Sequence, residues 1–281
     1  MVRVEVAGIL TTIQDLGRKG YANIGVPVSG AMDLYSAKIA NLMLQNSEND
    51  AVIEITFGNC TLVFENETYI CISGADFSAT INNQLVVLNS VLKINKNDVL
   101  KFGKRNYGVR TYIAVLGGFQ TEKVLNSRSF YNNITKKINV GKNDLLNYKT
   151  EIKKITSTFS AIKLNVNHFN TKTINCYKGP EFDLLSEFQK NQITNTTFSI
   201  SVVNNRMAYQ LNQVIENSLE SMLTSAVLPG TVQLTPSGKL IILMRDCQVT
   251  GGYPRILKLT NNAINVLSQK TTQDWFMFKL V

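Results

Sequence analysis

Residues 240–254 read Leu-Ile-Ile-Leu-Met-Arg-Asp-Cys-Gln-Val-Thr-Gly-Gly-Tyr-Pro. The apolar run Leu240–Met244 predicts a buried strand, and the residues after it are abruptly polar. Asp246, Gln248 and Thr250 stand directly after the strand, ahead of the glycine pair Gly251-Gly252 and Tyr253. Polar side chains in that position are costly unless they are paired or used. A glycine pair lets the backbone approach a ligand closely and present N–H donors. A loop corner that needs positive φ would read the same way.

Working outward, the same pattern of a short β-rich run closed by a turn recurs along the chain. Val2–Val6, Ala51–Ile55, Cys60–Phe64, Tyr69–Ser73, Val99–Phe102, Thr111–Val115, Phe198–Val203, Val232–Leu234 and Trp275–Phe278 are rich in Val, Ile, Thr, Tyr and Phe. Asn82-Asn83 between Ala79–Ile81 and Leu85–Leu88 predicts a hairpin turn. This spacing predicts a mainly β protein of barrels or sandwiches with a few short helices. One helix is expected over Ala31–Leu44, with Ser29 as its N-cap and Asp33 in its first turn. A weaker helix is expected over Glu181–Gln192. The Lys/Asn-rich stretch Lys136–Lys172 reads as a mobile connection, which gives domains at 1–165 and 173–281.

The chain of 281 residues is 44% hydrophobic and 17% charged, and asparagine makes up the shortfall in charge with 31 residues, a composition that predicts folded domains and not disorder. The opening Met1–Val6 has no apolar h-region, and the longest uncharged run, Ser221–Gly238, carries two prolines and several polar residues, so no membrane span is expected. The four cysteines (60, 71, 176, 247) form no C-x-x-C pair and have one histidine, His168, to join them, so no metal site is expected. Unpaired thiols fit a reducing cytoplasmic compartment. His168 reads as a solvated linker residue, which removes Ser-His-Asp and Cys-His schemes. No phosphate loop, G-x-G-x-x-G or G-x-S-x-G occurs. The formal charge of +9 is concentrated in residues 93–172, where 16 Lys/Arg face 4 Asp/Glu. Those charges are scattered without aromatic interleaving, which points away from nucleic acid and towards an anionic nucleotide or a partner subunit.

Three further segments can carry chemistry. Thr11–Gly20 sets Gln14, Asp15 and Arg18 between glycines after the first strand, where they can grip one small polar ligand or form a surface turn with a local ion pair. Gly25–Asp33 can hold an anion on free N–H groups at a helix start, or be an ordinary capped helix. Asn205–Leu211 places Arg206 where it can clamp an anion through two hydrogen bonds, or be a solvated charge.

Together these segments resemble the KipA-like family, which comprises the C subunits of 5-oxoprolinases and allophanate hydrolase subunit 2-like proteins and is similar to half of the carboxyltransferase domain of urea carboxylase. The family pattern T-T-x-Q-D-x-G-R-x-G falls on Thr11–Gly20, G-V-P-x-S-G-A-M-D on Gly25–Asp33, the A-N motif of the helix on Ala40–Leu42, and L-E-x-T on Ile53–Thr56. Gly117-Gly118 precedes Ser127-Arg128-Ser129, and Gly179-Pro180, Asn205–Leu211, Gly230–Gly238 and Asp246–Pro254 come after them in the family's order. Asn205, Ala208 and Gln210 stand where the family usually shows Asp, Gly and Arg, Asn126 stands for a glycine, and Thr272-Gln273 replaces a Pro-Gly turn.

The resemblance implies two cyclophilin-like β-barrel domains that assemble with two further subunits, one KipI-like and one LamB/YcsF-like. It implies ATP-driven opening of 5-oxoproline to glutamate, with ATP used by the complex. The alternatives are a regulatory protein that sequesters a KipI-like kinase inhibitor, and a carboxyltransferase component of a biotin-dependent urea or amide carboxylase. The matched positions make Asp15, Arg206 and Asp246 the candidate catalytic residues. Gln14, Arg18, Ser29, Asp33, Arg128, Gln248, Thr250, Gly251, Gly252 and Tyr253 are the candidates for substrate binding. Asp246 is expected to face ligand, so Asp246→Asn is expected to leave the melting temperature within ~2 °C.

Overall fold

In a computed structural model, residues 1–149 and 167–281 are described. Contacts divide the chain into two units, Met1–Arg18 with Ser29–Val166, and Lys19–Val28 with Asn167–Val281. The first unit contains β1 (Val2–Val6), β2 (Leu10–Gln14), α1 (Leu34–Met43), β3 (Val52–Thr56), β4 (Thr61–Phe64), β5 (Thr68–Asp76), β6 (Thr80–Ile81), β7 (Gln84–Leu85), β8 (Leu92–Ile94), β9 (Val99–Lys101), β10 (Tyr107–Val115) and β11 (Leu145–Leu146). They form a six-stranded sheet, β11-β1-β4-β9-β6-β7, and a five-stranded sheet, β2-β3-β10-β5-β8.

The five-stranded sheet is buried on both faces, and its sequence shows how. Ile53, Ile55, Ile70, Ile72, Ile113 and Val115 join Val4, Leu62 and Phe64 of the other sheet in one core. The alternate residues Val52, Cys71, Tyr112 and Ala114 turn the other way and pack with Ala37 and Ala40 of α1 and with Leu44, its C-cap. Each fully buried Ile contributes roughly 1.5–3 kcal/mol. The hairpin at Asn82-Asn83 forms as expected, with φ of 50° and 68°, the left-handed values that a two-residue turn between twisted strands needs.

The second unit contains α2 (Asn167–Asn170), β12 (Thr173–Lys178), α3 (Glu187–Asn195), β13 (Phe198–Asn204), β14 (Ala208–Val214), β15 (Ser225–Ala226), β16 (Thr231–Leu234), β17 (Lys239–Leu243), β18 (Thr250–Gly251), β19 (Arg255–Leu259), α4 (Asn261–Ser268) and β20 (Trp275–Leu280). Seven of the strands close a barrel in the order β12-β19-β16-β17-β14-β13-β20, and β15 pairs with β18 outside it. Alternating residues fill the interior: Val232, Leu234, Leu240, Ile242, Leu257, Leu259, Phe276 and Phe278 are all buried. The chain is mainly β, as the strand spacing predicts.

Several local expectations are corrected. Thr11–Gln14, read as part of a polar loop, lies in the strand Leu10–Gln14 with Thr11, Thr12, Ile13 and Gln14 buried. Helix α1 starts three residues later than expected and is capped by Asp33, whose Oδ1 accepts from the Tyr35 and Ser36 N–H groups. Ser29 is not the cap, because it sits buried at φ 59° ahead of the helix. The helix expected over Glu181–Gln192 is broken: a 3-10 turn at Phe182–Leu184 is followed by extended Leu185, and α3 then starts from a capping box of Ser186 and Gln189. Residues 136–149 belong to the first unit, where Val140, Leu146 and Tyr148 enter the core. The remainder of the supposed connection, 150–166, lies outside the described residues. His168 is not solvated. It is 7% exposed and lies edge-on to Phe169 at 5.0 Å.

Candidate functional site

In the first unit, three of the sequence segments converge on Asp15. It follows β2, and its Oδ1 accepts hydrogen bonds from the Gly17 N–H (2.8 Å), Ser127 Oγ (2.7 Å) and Ser129 Oγ (2.7 Å). Oδ2 accepts from the Arg128 N–H at 2.6 Å. The Asp15 backbone N–H donates to Ser129 Oγ, and its carbonyl accepts from the Ala31 N–H. Arg18, 1% exposed, donates to the Ser129 carbonyl. One aspartate thus ties together T-T-x-Q-D, the S-G-A-M-D segment and S-R-S. The guanidinium of half-buried Arg128 donates to the Thr121 carbonyl and, at 2.9 Å, to Gln120 Oε1. Gln120 is itself anchored on the Gly117 and Gly118 carbonyls.

Sequence reasoning did not assign a second polar cluster, which lies between the five-stranded sheet and the start of α1. Register aligns Thr12, Glu54, Tyr112 and Ser73 in one row across four strands. Glu54, 1% exposed, accepts at Oε2 from the Met32 N–H (2.7 Å) and Tyr112 Oη (2.8 Å), and Arg110 approaches its Oε1 at 3.9 Å. Tyr112 Oη in turn accepts from the Asp33 N–H at 2.8 Å. Burial, and then the neighbouring charges of Glu54 and Asp33, push the Tyr112 hydroxyl well above its ordinary value. The signal was a glutamate inside the otherwise apolar strand Val52–Thr56, buried at every position. Gln14, fully buried, donates to Thr12 Oγ1, while its Oε1 makes no hydrogen bond.

In the second unit, Arg206 and Asp246 meet. Arg206 Nε donates to Asp246 Oδ2 at 2.8 Å and Nη2 to Oδ1 at 3.0 Å, with the side chains 9% and 13% exposed. The anion clamped by Arg206 is therefore Asp246 of the same chain. The expectation that Asp246→Asn leaves stability untouched gives way, since the substitution breaks a fork-to-fork pair. Beyond it, Gln248 is half-buried with Oε1 lacking a hydrogen bond, Thr250 is exposed on β18, and Tyr253 is 38% exposed. The glycine pair serves close approach and not positive φ: a Cβ on Gly251 would fall 2.6 Å from Gln233 Nε2, and one on Gly252 would fall 3.2 Å from the Met222 carbonyl.

A second fork pair lies on β19. Arg255 Nη2 reaches Glu181 Oε1 at 2.7 Å, while Nε and the backbone N–H both donate to Oε2. Gly179, just before Pro180, leaves no room for a side chain: a Cβ there would lie 2.0 Å from the Arg255 carbonyl. The Arg255 hydrogen bonds hold the Glu181 carboxyl below its ordinary 4.5. A depressed carboxyl contributes stability above its unfolded-state value and loses it as pH falls through the folded one. Melting temperature is therefore expected to fall below about pH 4.5, and Glu181→Gln is expected to flatten that fall. Identical slopes for the two proteins between about pH 5 and pH 3 would assign the acid loss elsewhere.

The departures from the family pattern have physical equivalents. Asn205 Oδ1 accepts from the Met207 and Ala208 N–H groups at 2.7 and 3.1 Å, the turn-closing acceptance an aspartate would give. Asn126 and Gln273 sit at φ 62° and 69° in place of glycine, and asparagine is the better suited of the two. Ala208 opens β14 opposite Leu243, and Gln210 pairs with Ile241. Burial raises the thiols of Cys60, Cys71, Cys176 and Cys247 to about 12, so none is poised as a nucleophile. Among the described residues, no group of three or more His, Cys, Asp or Glu is arranged to hold a metal ion, and no helix is long and apolar enough to cross a membrane.

The family profile of the carboxyltransferase domain, subdomain A and B, matches residues 24–280. The C subunit of the 5-oxoprolinase of Escherichia coli (strain K12) is 30% identical over 263 residues, which cover 91% of this chain and 83% of that protein. The urea amidolyase of Lachancea kluyveri is 39% identical over 125 residues, 44% of this chain and 7% of that protein. The crystal structure of the K. lactis urea amidolyase superposes with a TM-score of 0.86 at 25% identity, over 99% of this chain and 18% of that one.

Proposed function

We propose, from the premise that this chain belongs to the carboxyltransferase domain, subdomain A and B, family, that it is one subunit of an ATP-driven 5-oxoprolinase. The chain is homologous both to the C subunits of 5-oxoprolinases and to the carboxyltransferase part of urea amidolyase. The observation that carries the first reading is the 30% identity to the E. coli C subunit across 91% of this chain and 83% of that protein.

A five-membered lactam is a poor electrophile. Transfer of a phosphoryl group from ATP to the lactam oxygen would make its carbon reactive. Addition of water would then expel the ring nitrogen, and hydrolysis of the resulting acyl phosphate would give glutamate and phosphate. The protein's part is to fix the anionic substrate and stabilise developing negative charge with preset donors. Arg128 suits the first task, because its guanidinium bonds neutral acceptors only and is only partly buried. Thr250, Tyr253 and the amide of Gln248 are the second unit's candidates for substrate contact. Asp15 is taken up by Gly17, Ser127, Arg128 and Ser129, and Arg206 and Asp246 by each other, which supports positioning roles in place of proton transfer.

The reading includes two partners, a KipI-like protein and a LamB/YcsF-like protein, and a cytoplasmic location, with ATP held by the assembled complex. A stable pairing with the KipI-like partner would bury more than ~1,200 Å² in total. The test is reconstitution. The isolated chain is expected to release no glutamate from 5-oxoproline and ATP, and the three co-purified proteins are expected to do so steadily. Turnover by the chain alone, or a silent three-protein assembly, would overturn the proposal. The 39% identity to a urea amidolyase over 125 residues supports a second reading, a carboxyltransferase component of a biotin-dependent urea or amide carboxylase. Carboxyl transfer from carboxybiotin to urea by the same preparation would favour it.

A further inference from the structure

The second unit holds a lysine that none of the roles above uses. Lys258 lies on β19 between Leu257 and Leu259, which fill the barrel interior, so its side chain points to the outer face. Across the sheet it stands opposite Tyr177 of β12 on one side and Thr231 of β16 on the other. It is half-buried there. Its ammonium donates to the Pro229 carbonyl, a neutral acceptor. Arg245 and Cys247, from the stretch after β17, act on it electrostatically. Asp246, between them, has its carboxylate committed to Arg206. Among the described residues no carboxylate pairs with Lys258, whereas Lys38, Lys137, Lys178 and Lys190 each meet one.

A lysine taken partly out of water beside a second cation gives up its proton more readily than an exposed one, and this is how amines become nucleophiles near neutral pH. Burial, opposed by Cys247 and reinforced by Arg245, brings the Lys258 ammonium from 10.5 down to about 8. Lys270 is also lowered by burial, but it is 6% exposed and the Asp274 charge helps to hold its proton. Lys258 therefore combines three properties: a free amine, an outward position, and a guanidinium alongside. That combination suits an electrophile that arrives as an anion and releases one, because the neighbouring positive charge favours both. Acyl phosphates are electrophiles of this class.

We propose that Lys258 is a site of N-acylation by acyl phosphates, set by its place between the Pro229 carbonyl and Arg245. The amine lone pair attacks the acyl carbon, and the bond from that carbon to the phosphate oxygen breaks. Phosphate departs as an anion in the field of Arg245, the amine proton passes to solvent, and an amide is left on Nζ. The modification removes one positive charge next to the stretch that carries Asp246. The acyl phosphate of the proposed lactam opening is one possible donor, but the inference does not depend on that reading, since any acyl phosphate meets the same groups.

The experiment incubates the full chain with acetyl phosphate and follows each lysine by peptide mass spectrometry from about pH 7 to pH 10, a range that spans the lowered and the ordinary lysine values. Near pH 7.5 Lys258 holds roughly 200-fold more free amine than an exposed lysine. A less basic nucleophile is intrinsically weaker, by the dependence known for thiols, so the expected rate advantage over exposed Lys104 and paired Lys190 is at least ~10-fold. The rate at Lys258 is expected to level off above about pH 8, while that at Lys104 climbs about tenfold per pH unit to roughly pH 10. In concentrated urea the advantage should vanish, because the fold creates it. Acetylation of Lys258 no faster than that of Lys104, a Lys258 rate still climbing tenfold per unit above about pH 9, or an advantage unchanged in urea would each overturn the inference. The reconstituted glutamate assay judges the oxoprolinase reading separately, whichever way the labelling falls.

Discussion

Asp15→Ala is expected to lower the melting temperature of the first unit by roughly 10 °C. Four donors lose their acceptor at once: the Gly17 and Arg128 N–H groups and the hydroxyls of Ser127 and Ser129. Both serines are fully buried, so water cannot replace the carboxylate without rearrangement. An unsatisfied buried donor costs about 1–3 kcal/mol. Partial relaxation of the loop leaves a sum on the order of 4 kcal/mol, within the range reserved for loss of a buried network. At about 2–4 °C per kcal/mol the shift is plain in a thermal scan. If Asp15→Ala melts within ~2 °C of the parent while the reconstituted enzyme loses activity, the carboxylate acts on substrate and its bonds in the free chain are incidental.

The second large effect is at the Arg206–Asp246 fork. Asp246→Ala takes the carboxylate from a guanidinium whose side chain is 9% exposed, and removing one partner of a nearly buried pair costs about 3 kcal/mol. Asp246→Asn keeps one acceptor oxygen and should cost less, ~1–2 kcal/mol. Replacing both residues, as Arg206→Met with Asp246→Leu, should destabilise less than Asp246→Ala alone, because no buried charge is left over. Urea melts of the single and double variants give the coupling directly. Additive losses across the cycle would mean that the two side chains do not stabilise each other. The turn Asn205–Ala208 and the stretch after β17 are also joined through backbone, with the Asp246 N–H donating to the Arg206 carbonyl. Activity lost by Asp246→Asn beyond its loss of folded protein would restore a direct role.

The fold was legible where the residues themselves are stiff. Val, Ile and aromatic runs such as Thr111–Val115 and Trp275–Phe278 lie in strands because branched and flat side chains fit a pleated surface. The strand Leu10–Gln14 was missed because its polarity is that of a loop. Thr12 faces Glu54 across the sheet, so the polar side chains are buried in a polar row that no single segment reveals. Helix α4 was missed because Asn261-Asn262 lower its propensity. Its Thr260 cap and the buried Ala263, Ile264 and Leu267 carry it instead. At the site, sequence order assembled the correct segments, but not which atoms they would use. Arg206 and Asp246 are forty positions apart, and Glu54 and Tyr112 fifty-eight. Nothing local says that an arginine's anion is its own chain's aspartate.

The barrel closes through β12 and β20, which run parallel with Ile174 opposite Phe278. On the order of a hundred residues must be threaded into place before that seam can form, which makes closure a late and slow event in folding. The sole tryptophan of the chain, Trp275, lies on the closing strand, with the Lys172 ammonium 3.4 Å from its ring centre. Its fluorescence is thus a built-in clock for the seam. During synthesis, the first unit can collapse while the later strands, including the one that presents Asp246, wait as an open, edge-exposed sheet that a chaperone would recognise.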